Sequence, residues 1–282
     1  MFVFWFLVIL ALVIVWLLVS PHFSKIGEKV LDIKDEVSYN INIGEEIRWF
    51  EDFGCADGTL LEAMDKLFNN PFTAEFPLNK IELVGYDMSS KMLELAEDKV
   101  PNAQLFNSKV PCHTFIDEAS KGSVLNLSSV LHEVNSYCTE EEKNDFWKGV
   151  HNSNYQYITI RDMIFNGNNK EHSDYGDESA IRTKASLYRY LKEFEEIWGD
   201  IHNKKNLIHF LLKYRYKQNW DREVKENYLG YSTDDIIKLV GNEYEVIYRK
   251  DYILPFLYNK VEEDFGIKIN TPTHTNLIFK RK

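Results

Sequence analysis

The sequence predicts an α/β fold built on a mostly parallel sheet. Three observations carry that expectation. From Ile47 to about Phe165, strand-length apolar runs alternate with segments of helical periodicity. The first run passes into a helix through a glycine-rich turn, "DFGCADGTLLEAM", Asp52 to Met64. The second run ends on an acid, Asp87, in "IELVGYDMSSKMLELA". Ligands in such sheets bind beyond the carboxyl ends of the strands, where both the glycine turn and Asp87 fall.

The elements follow in order. "MFVFWFLVILALVIVWLLVS", residues 1–20, carries no charged side chain. That run at about 1.5 Å per residue spans a bilayer core of about 30 Å, so it reads as a transmembrane anchor. A cleaved signal peptide would show a basic leader and a small-residue cleavage site, and neither is present. Lys25, Lys29 and Lys34 follow the span and no basic residue precedes it, which places the large C-terminal body in the cytosol as a single-pass protein. Residues 21–46 are a charged juxtamembrane linker. A cofactor-binding core is expected over 47–165.

Within that core, "TLLEAMDKLF" has Leu60, Leu61, Met64, Leu67 and Phe68 at helical spacing, with Asp57 or Thr59 as a cap. "NNPFTAEFPLNK" is a loop and "IELVGYD" a buried strand. "SSKMLELAEDKV" is a helix capped by Ser89 or Ser90. "NAQLFNS" is a short strand, "GSVLNLSSVLHEV" a strand turning into a helix near Ser128, "EEEKNDFWKGV" a helix and "YQYITIRDM" a strong strand. After Phe165, "NGNNKEHSDYGDES" reads as loop, followed by a helical stretch from Thr183 to Asn227. Residues 166–230 are therefore expected to form a helical lid or substrate insertion. Residues 231–282 are expected to supply two closing strands, "YEVIYRKDYILP" and "HTNLIFKRK", as an antiparallel edge pair.

Composition sets bounds. The 282 residues carry a formal net charge of -11, which argues against broad non-specific nucleic-acid binding but leaves room for one local basic groove. Nucleic acid is thus neither indicated nor excluded as a partner. The three cysteines, Cys55, Cys112 and Cys138, show no ligand spacing, so no metal site is expected.

Gly54 and Gly58 permit positive φ and close approach of backbone to a ligand. An acid at the end of the second strand suits two ribose hydroxyls. Together these segments resemble the first two motifs of class I S-adenosylmethionine-dependent methyltransferases. "VLNLSSVLHEVNSY" resembles their fourth-strand motif, "YITIRDM" their fifth strand and "THTNLIFKRK" their closing strand. The resemblance implies a Rossmann-like methyltransferase sheet, mostly parallel with an antiparallel C-terminal strand, and S-adenosyl-L-methionine as cofactor. It departs from the family's three-glycine pattern at Ala56, and its third motif, "LFNSKVP", lacks the usual acid.

By position, the resemblance assigns Gly54, Cys55, Ala56 and Gly58 to the amino-acid part of the cofactor and Asp52 to its ammonium. It assigns Asp87 to the ribose, Met88 and then Asn107 or Ser108 to the adenine, and Ser128 and Ser129 to the methionine end. Candidate bases for an acceptor proton are His132, Glu133 and Asp162, with His274 a further histidine that would approach the site. Each has a structural reading beside the catalytic one, as a helix-start, strand-end or surface residue. Lys204, Lys205, Lys213, Arg215 and Lys217 give the insertion a basic part, to meet an anionic substrate, RNA or a lipid surface, or simply solvent. The acceptor class stays open, with a small-molecule or membrane-proximal acceptor favoured by the anchor. Two rival readings remain, a catalytically inactive methyltransferase-like membrane scaffold and a nucleotide-dependent enzyme of another Rossmann-like class. The second lacks its G-x-G-x-x-G fingerprint here.

Overall fold

A computed structural model describes residues 47–69 and 81–282. The expected anchor at 1–20 and linker at 21–46 lie outside the described residues. Among the described residues, no helix is long and apolar enough to cross a membrane.

The sheet has seven strands: β1 Trp49–Phe53, β2 Glu82–Tyr86, β3 Gln104–Phe106, β4 Ser123–Ser128, β5 Tyr157–Met163, β6 Tyr244–Tyr252 and β7 His274–Arg281. Their spatial order is β3-β2-β1-β4-β5-β7-β6. The first five are parallel, and β7 runs antiparallel to both β5 and β6. The two closing strands do pair antiparallel, but the last one sits inside the sheet and β6 takes the edge.

Side chains alternate across the central strands. Phe50, Leu83 and Val124 enter one apolar cluster, with Leu61 and Met64 of α1 (Thr59–Phe68). Phe53, Val84, Leu125 and Leu127 enter another, with Phe146, Trp147 and Val150 of α5 (Glu140–Ser153). Burial on both faces explains why these strands read as nearly continuous apolar runs. Ser89 caps α2 (Ser90–Lys99), and Thr139 with Glu142 forms a capping box at α5. A short α3 (Asp117–Ser120) precedes β4, and α4 (Leu131–Tyr137) follows it. The helix after β4 thus begins three residues later than Ser128.

A buried polar network ties the central strands together. Glu51 on β1 is fully buried and accepts hydrogen bonds from Tyr86 Oη at 3.0 Å and Tyr155 Oη at 2.6 Å, with His113 Nδ1 2.6 Å from its other oxygen.

The segment after β5 holds α6 (Tyr175–Arg182), α7 (Tyr188–Trp198), α8 (Lys204–Lys213) and α9 (Trp220–Glu223), with single 3₁₀ turns at Ala185–Leu187 and Lys217–Asn219. The helix α6 falls where the sequence reads as loop. Its start is made by the Asp174 carboxylate, which accepts the Gly176 N–H, a local signal that few apolar residues support. The C-terminal segment is also not made of strands alone. It carries α10 (Thr233–Val240), opened by a Ser232–Asp235 capping box, and α11 (Pro255–Phe265), opened by proline at its first turn. A third apolar cluster joins Phe194, Ile208, Phe210 and Trp220 to Leu257, Val261, Ile267 and Ile269. The core beneath the insertion therefore draws on residues beyond 230.

Candidate functional site

The chain lays β1, β2 and β3 outward in one direction and then returns to place β4 on the other side of β1. This reversal opens a crevice beyond the carboxyl ends of β1 and β4, the ligand position expected of an open parallel sheet. The turn after β1 fills one wall. Gly54, Ala56 and Gly58 have φ of 79°, 45° and 73°, three left-handed residues in one short turn. A Cβ on Gly54 would lie 2.7 Å from Val130 Cγ2, and one on Gly58 would lie 2.8 Å from Ala96 Cβ. The Gly54 and Cys55 N–H groups both donate to the Tyr86 carbonyl, at 2.8 and 2.9 Å. Cys55 is buried beneath the turn.

Asp87 is tied to that turn directly. Its Oδ2 accepts the Ala56 N–H at 2.9 Å and its Oδ1 the Ser89 N–H at 2.8 Å. Asn107 donates to the carbonyls of Asp87 and Met88 at 3.1 and 2.9 Å, bringing β3 to the same corner, where Met88 is exposed. Ser108 instead bonds its own loop through Val110.

Asp52, next to the last residue of β1, is buried and faces its register partner Asn126 on β4. Asn126 donates to Asp52 Oδ1 at 2.8 Å and accepts from Thr159 Oγ1 at 2.8 Å, a polar chain across three strands. Among the described residues no cation pairs with Asp52. Burial, with the Asp87 charge adding and the Asn126 hydrogen bond opposing, pushes its carboxyl up to about 7. The sequence carried a trace of this partner, a polar Asn in the apolar run "VLNLSS".

A second cluster occupies the carboxyl ends of β4 and β5. His132 Nδ1 is 2.8 Å from Asp162 Oδ1, and both side chains are buried. The other Asp162 oxygen accepts the Leu131 N–H at 2.7 Å, so the same carboxylate caps α4. Burial works against the His132 imidazolium, but the charge and hydrogen bond of Asp162, with Glu133 and Glu226, outweigh it and raise its pKa. The same pair holds Asp162 below the usual carboxylate range in spite of its burial. Ser129, with φ 58°, accepts from Arg161 Nη1 at 2.7 Å. Ser128 stands beside it at the end of β4. His274 is buried on β7 opposite Met163, and burial drives its imidazole down to about 3.

The insertion adds residues that sequence reading missed. Glu226 Oε2 lies 3.9 Å from His132 Nε2, and the Tyr228 ring meets the imidazole edge-on at 5.2 Å. Arg222 Nε and Tyr137 Oη both donate to Glu226 Oε1 at 2.8 Å, and Arg222 also pairs with Glu133 at 2.6 Å. Nothing in the charged run "DREVKEN" singles out Glu226.

No family model matches the sequence. No curated protein matches it either. Among solved structures, an S-adenosylmethionine-dependent methyltransferase from Mesorhizobium loti is similar with 12% identity and a TM-score of 0.47, covering 86% of this chain and 94% of that one. A SAM-dependent methyltransferase from Archaeoglobus fulgidus has 12% identity and a TM-score of 0.39, over 89% and 92% of the two chains. A possible histamine N-methyltransferase from Thermotoga maritima has 11% identity and a TM-score of 0.38, over 84% and 83%. At these scores the likeness decides nothing about activity, which the geometry of the site has to carry.

Proposed function

We propose that this chain is an S-adenosyl-L-methionine-dependent methyltransferase, anchored in a membrane through residues 1–20 with its catalytic body in the cytosol. The observation that carries the reading is the tie between Asp87 and the left-handed turn at the switch point of the sheet. The acceptors present fit the cofactor. Each Asp87 oxygen accepts one bond and keeps capacity for a ribose hydroxyl. Asp52 is a buried acid that lacks a cation, and the cofactor's ammonium would supply one. Met88 and Asn107 stand where an adenine would lie beyond Asp87, and Ser128 and Ser129 line the opposite side.

The cofactor supplies an electrophilic methyl group. The chain supplies position: the turn at 54–58 and Asp87 fix one end, and the α4 start fixes the other. His132 is the group that would take an acceptor proton, with Asp162 as a positioning residue that orients its ring. The acceptor enters from the side of the insertion, which brings Glu226 and Tyr228 to His132.

Titration of the detergent-solubilised full chain with S-adenosylhomocysteine tests the reading. Binding is expected, weakened at least tenfold in Asp87→Ala. A folded chain that gives no binding heat overturns it. With labelled cofactor and cell fractions as acceptor source, His132→Ala is expected to lower methyl incorporation about 10²–10⁴-fold while S-adenosylhomocysteine affinity stays within about threefold. Incorporation by the native chain should rise with pH through a midpoint above 6.5, because the imidazole must be neutral to accept a proton.

A further inference from the structure

The five basic residues that the sequence places in the insertion separate once folded. Lys204 pairs with Glu171 at 2.6 Å, Lys205 lies over the Phe165 ring, and Lys213 is buried against the carbonyls of Glu223 and Glu226. Arg215 and Lys217 remain exposed, and Lys184 joins them. Among the described residues, Arg182, Arg189 and Arg222 of the same region pair with carboxylates, whereas Lys184, Arg215 and Lys217 have none within ion-pair distance. Each lies over an aromatic ring instead: Lys184 over Phe265 at 5.8 Å, Arg215 over Phe256 at 4.6 Å and Lys217 over Tyr190 at 5.5 Å.

The three line two clefts that share Lys217 as a common wall. One, of about 350 Å³, holds Lys184, Arg215 and Lys217. The other, of about 440 Å³, runs from Lys217 past Trp220 to Arg222. Arg222 bonds Glu226 and Glu133, and Glu226 faces His132, so the second cleft ends beside the candidate base. Tyr216 and Tyr188 stand exposed along the same stretch. The carboxylates on the walls are Asp221 and Asp264, and Asp264 is taken by Tyr214 and Lys260.

We infer that this double cleft binds a single-stranded nucleic acid and that the strand is the methyl acceptor, an inference that rests on the methyltransferase reading. Cations beside exposed aromatic side chains are what a single strand requires, phosphates on Lys184, Arg215 and Lys217 and bases on the exposed Tyr188 and Tyr216 rings. A lone phosphate would need one converging pocket, whereas these cations are spread over two adjoining clefts. A net charge of -11 confines the attraction to this face and sets it against the rest of the surface. Distance from the base also has a role: the strand lies along the insertion and presents one nucleotide at the Arg222 end, toward His132.

The test uses the full chain in detergent, fluorescence anisotropy of a labelled 12-nucleotide single strand, and the triple variant Lys184→Glu, Arg215→Glu, Lys217→Glu. These side chains are exposed and lie outside the cofactor crevice, so S-adenosylhomocysteine affinity and circular dichroism should not change. Strand affinity should fall at least tenfold in the variant, and the slope of log affinity against log salt should be about -2 for the native chain, from roughly 0.7 per neutralised phosphate at three sites. The inference is overturned if the folded native chain binds no strand, or if the variant binds it equally. It is also overturned if a mononucleotide binds as tightly as the strand, or if only vesicles of anionic phospholipid bind. Cofactor-product binding without strand binding sinks this inference alone. Strand binding without it sinks the cofactor reading and with it the strand's role as methyl acceptor, and leaves only the cleft's affinity for the strand.

Discussion

Ala56 holds a left-handed backbone angle, φ 45°, between two glycines that do the same. An L-residue there carries a cost of about 1–2 kcal/mol, and glycine gives back part of it through the greater freedom of its unfolded chain. Ala56→Gly should therefore stabilise the fold by about 0.5–1 kcal/mol, read as a higher urea midpoint at unchanged slope. Asp52 yields a second expectation. Its carboxyl sits at about 7 and must ionise to meet an ammonium. Affinity for S-adenosylhomocysteine should then fall as pH drops below 7, by up to about tenfold per unit, and Asp52→Asn should flatten that profile. Calorimetry between about pH 5.5 and 8 decides it; a flat native profile would show that no cation meets Asp52. The residues of this corner were legible because their signals are local: glycine at a strand-to-helix turn, an acid at a strand end. Glu226 was not, because what makes it matter is a contact with His132 from a distant part of the chain.

At the scale of elements, Gly58 sets how closely α1 approaches α2. A methyl group there would lie 2.8 Å from Ala96 Cβ and 2.9 Å from its Cα, at φ 73°. Gly58→Ala adds backbone strain to overpacking and should destabilise by about 2 kcal/mol or more in urea unfolding. Periodicity revealed the helices with a strong apolar stripe, such as α1 and α8. It missed α6, whose eight residues have Ile181 as their one fully buried large side chain. The helices α10 and α11 were hidden differently. Each flanks the long strand β6, and the strand signal of "YEVIYRKDYILP" outweighs the short local signals of the capping box at Ser232 and the proline start at Pro255.

For the whole molecule, the Glu51 network ties β1, β2, the His113 loop and the entry to β5. Removing its carboxylate leaves buried hydroxyls without an acceptor. Glu51→Ala should cost about 3 kcal/mol or more, with Glu51→Gln between it and the native chain in the same unfolding experiment. The parallel half of the sheet was readable from alternation alone, since each strand announces its own burial. The place of β7 was not, because insertion between two earlier strands leaves no mark on local pattern. That placement has a consequence for how the protein is made. Tyr157 pairs with Lys280 and Met163 with His274, so β5 waits for a strand synthesised long after it, and β6 has no seat until β7 arrives. During that interval the growing chain exposes an unpaired, apolar strand edge. The hazard belongs to biogenesis rather than to the finished protein: a ribosome that stalls before residue 274 would release a chain prone to cross-pair with its neighbours.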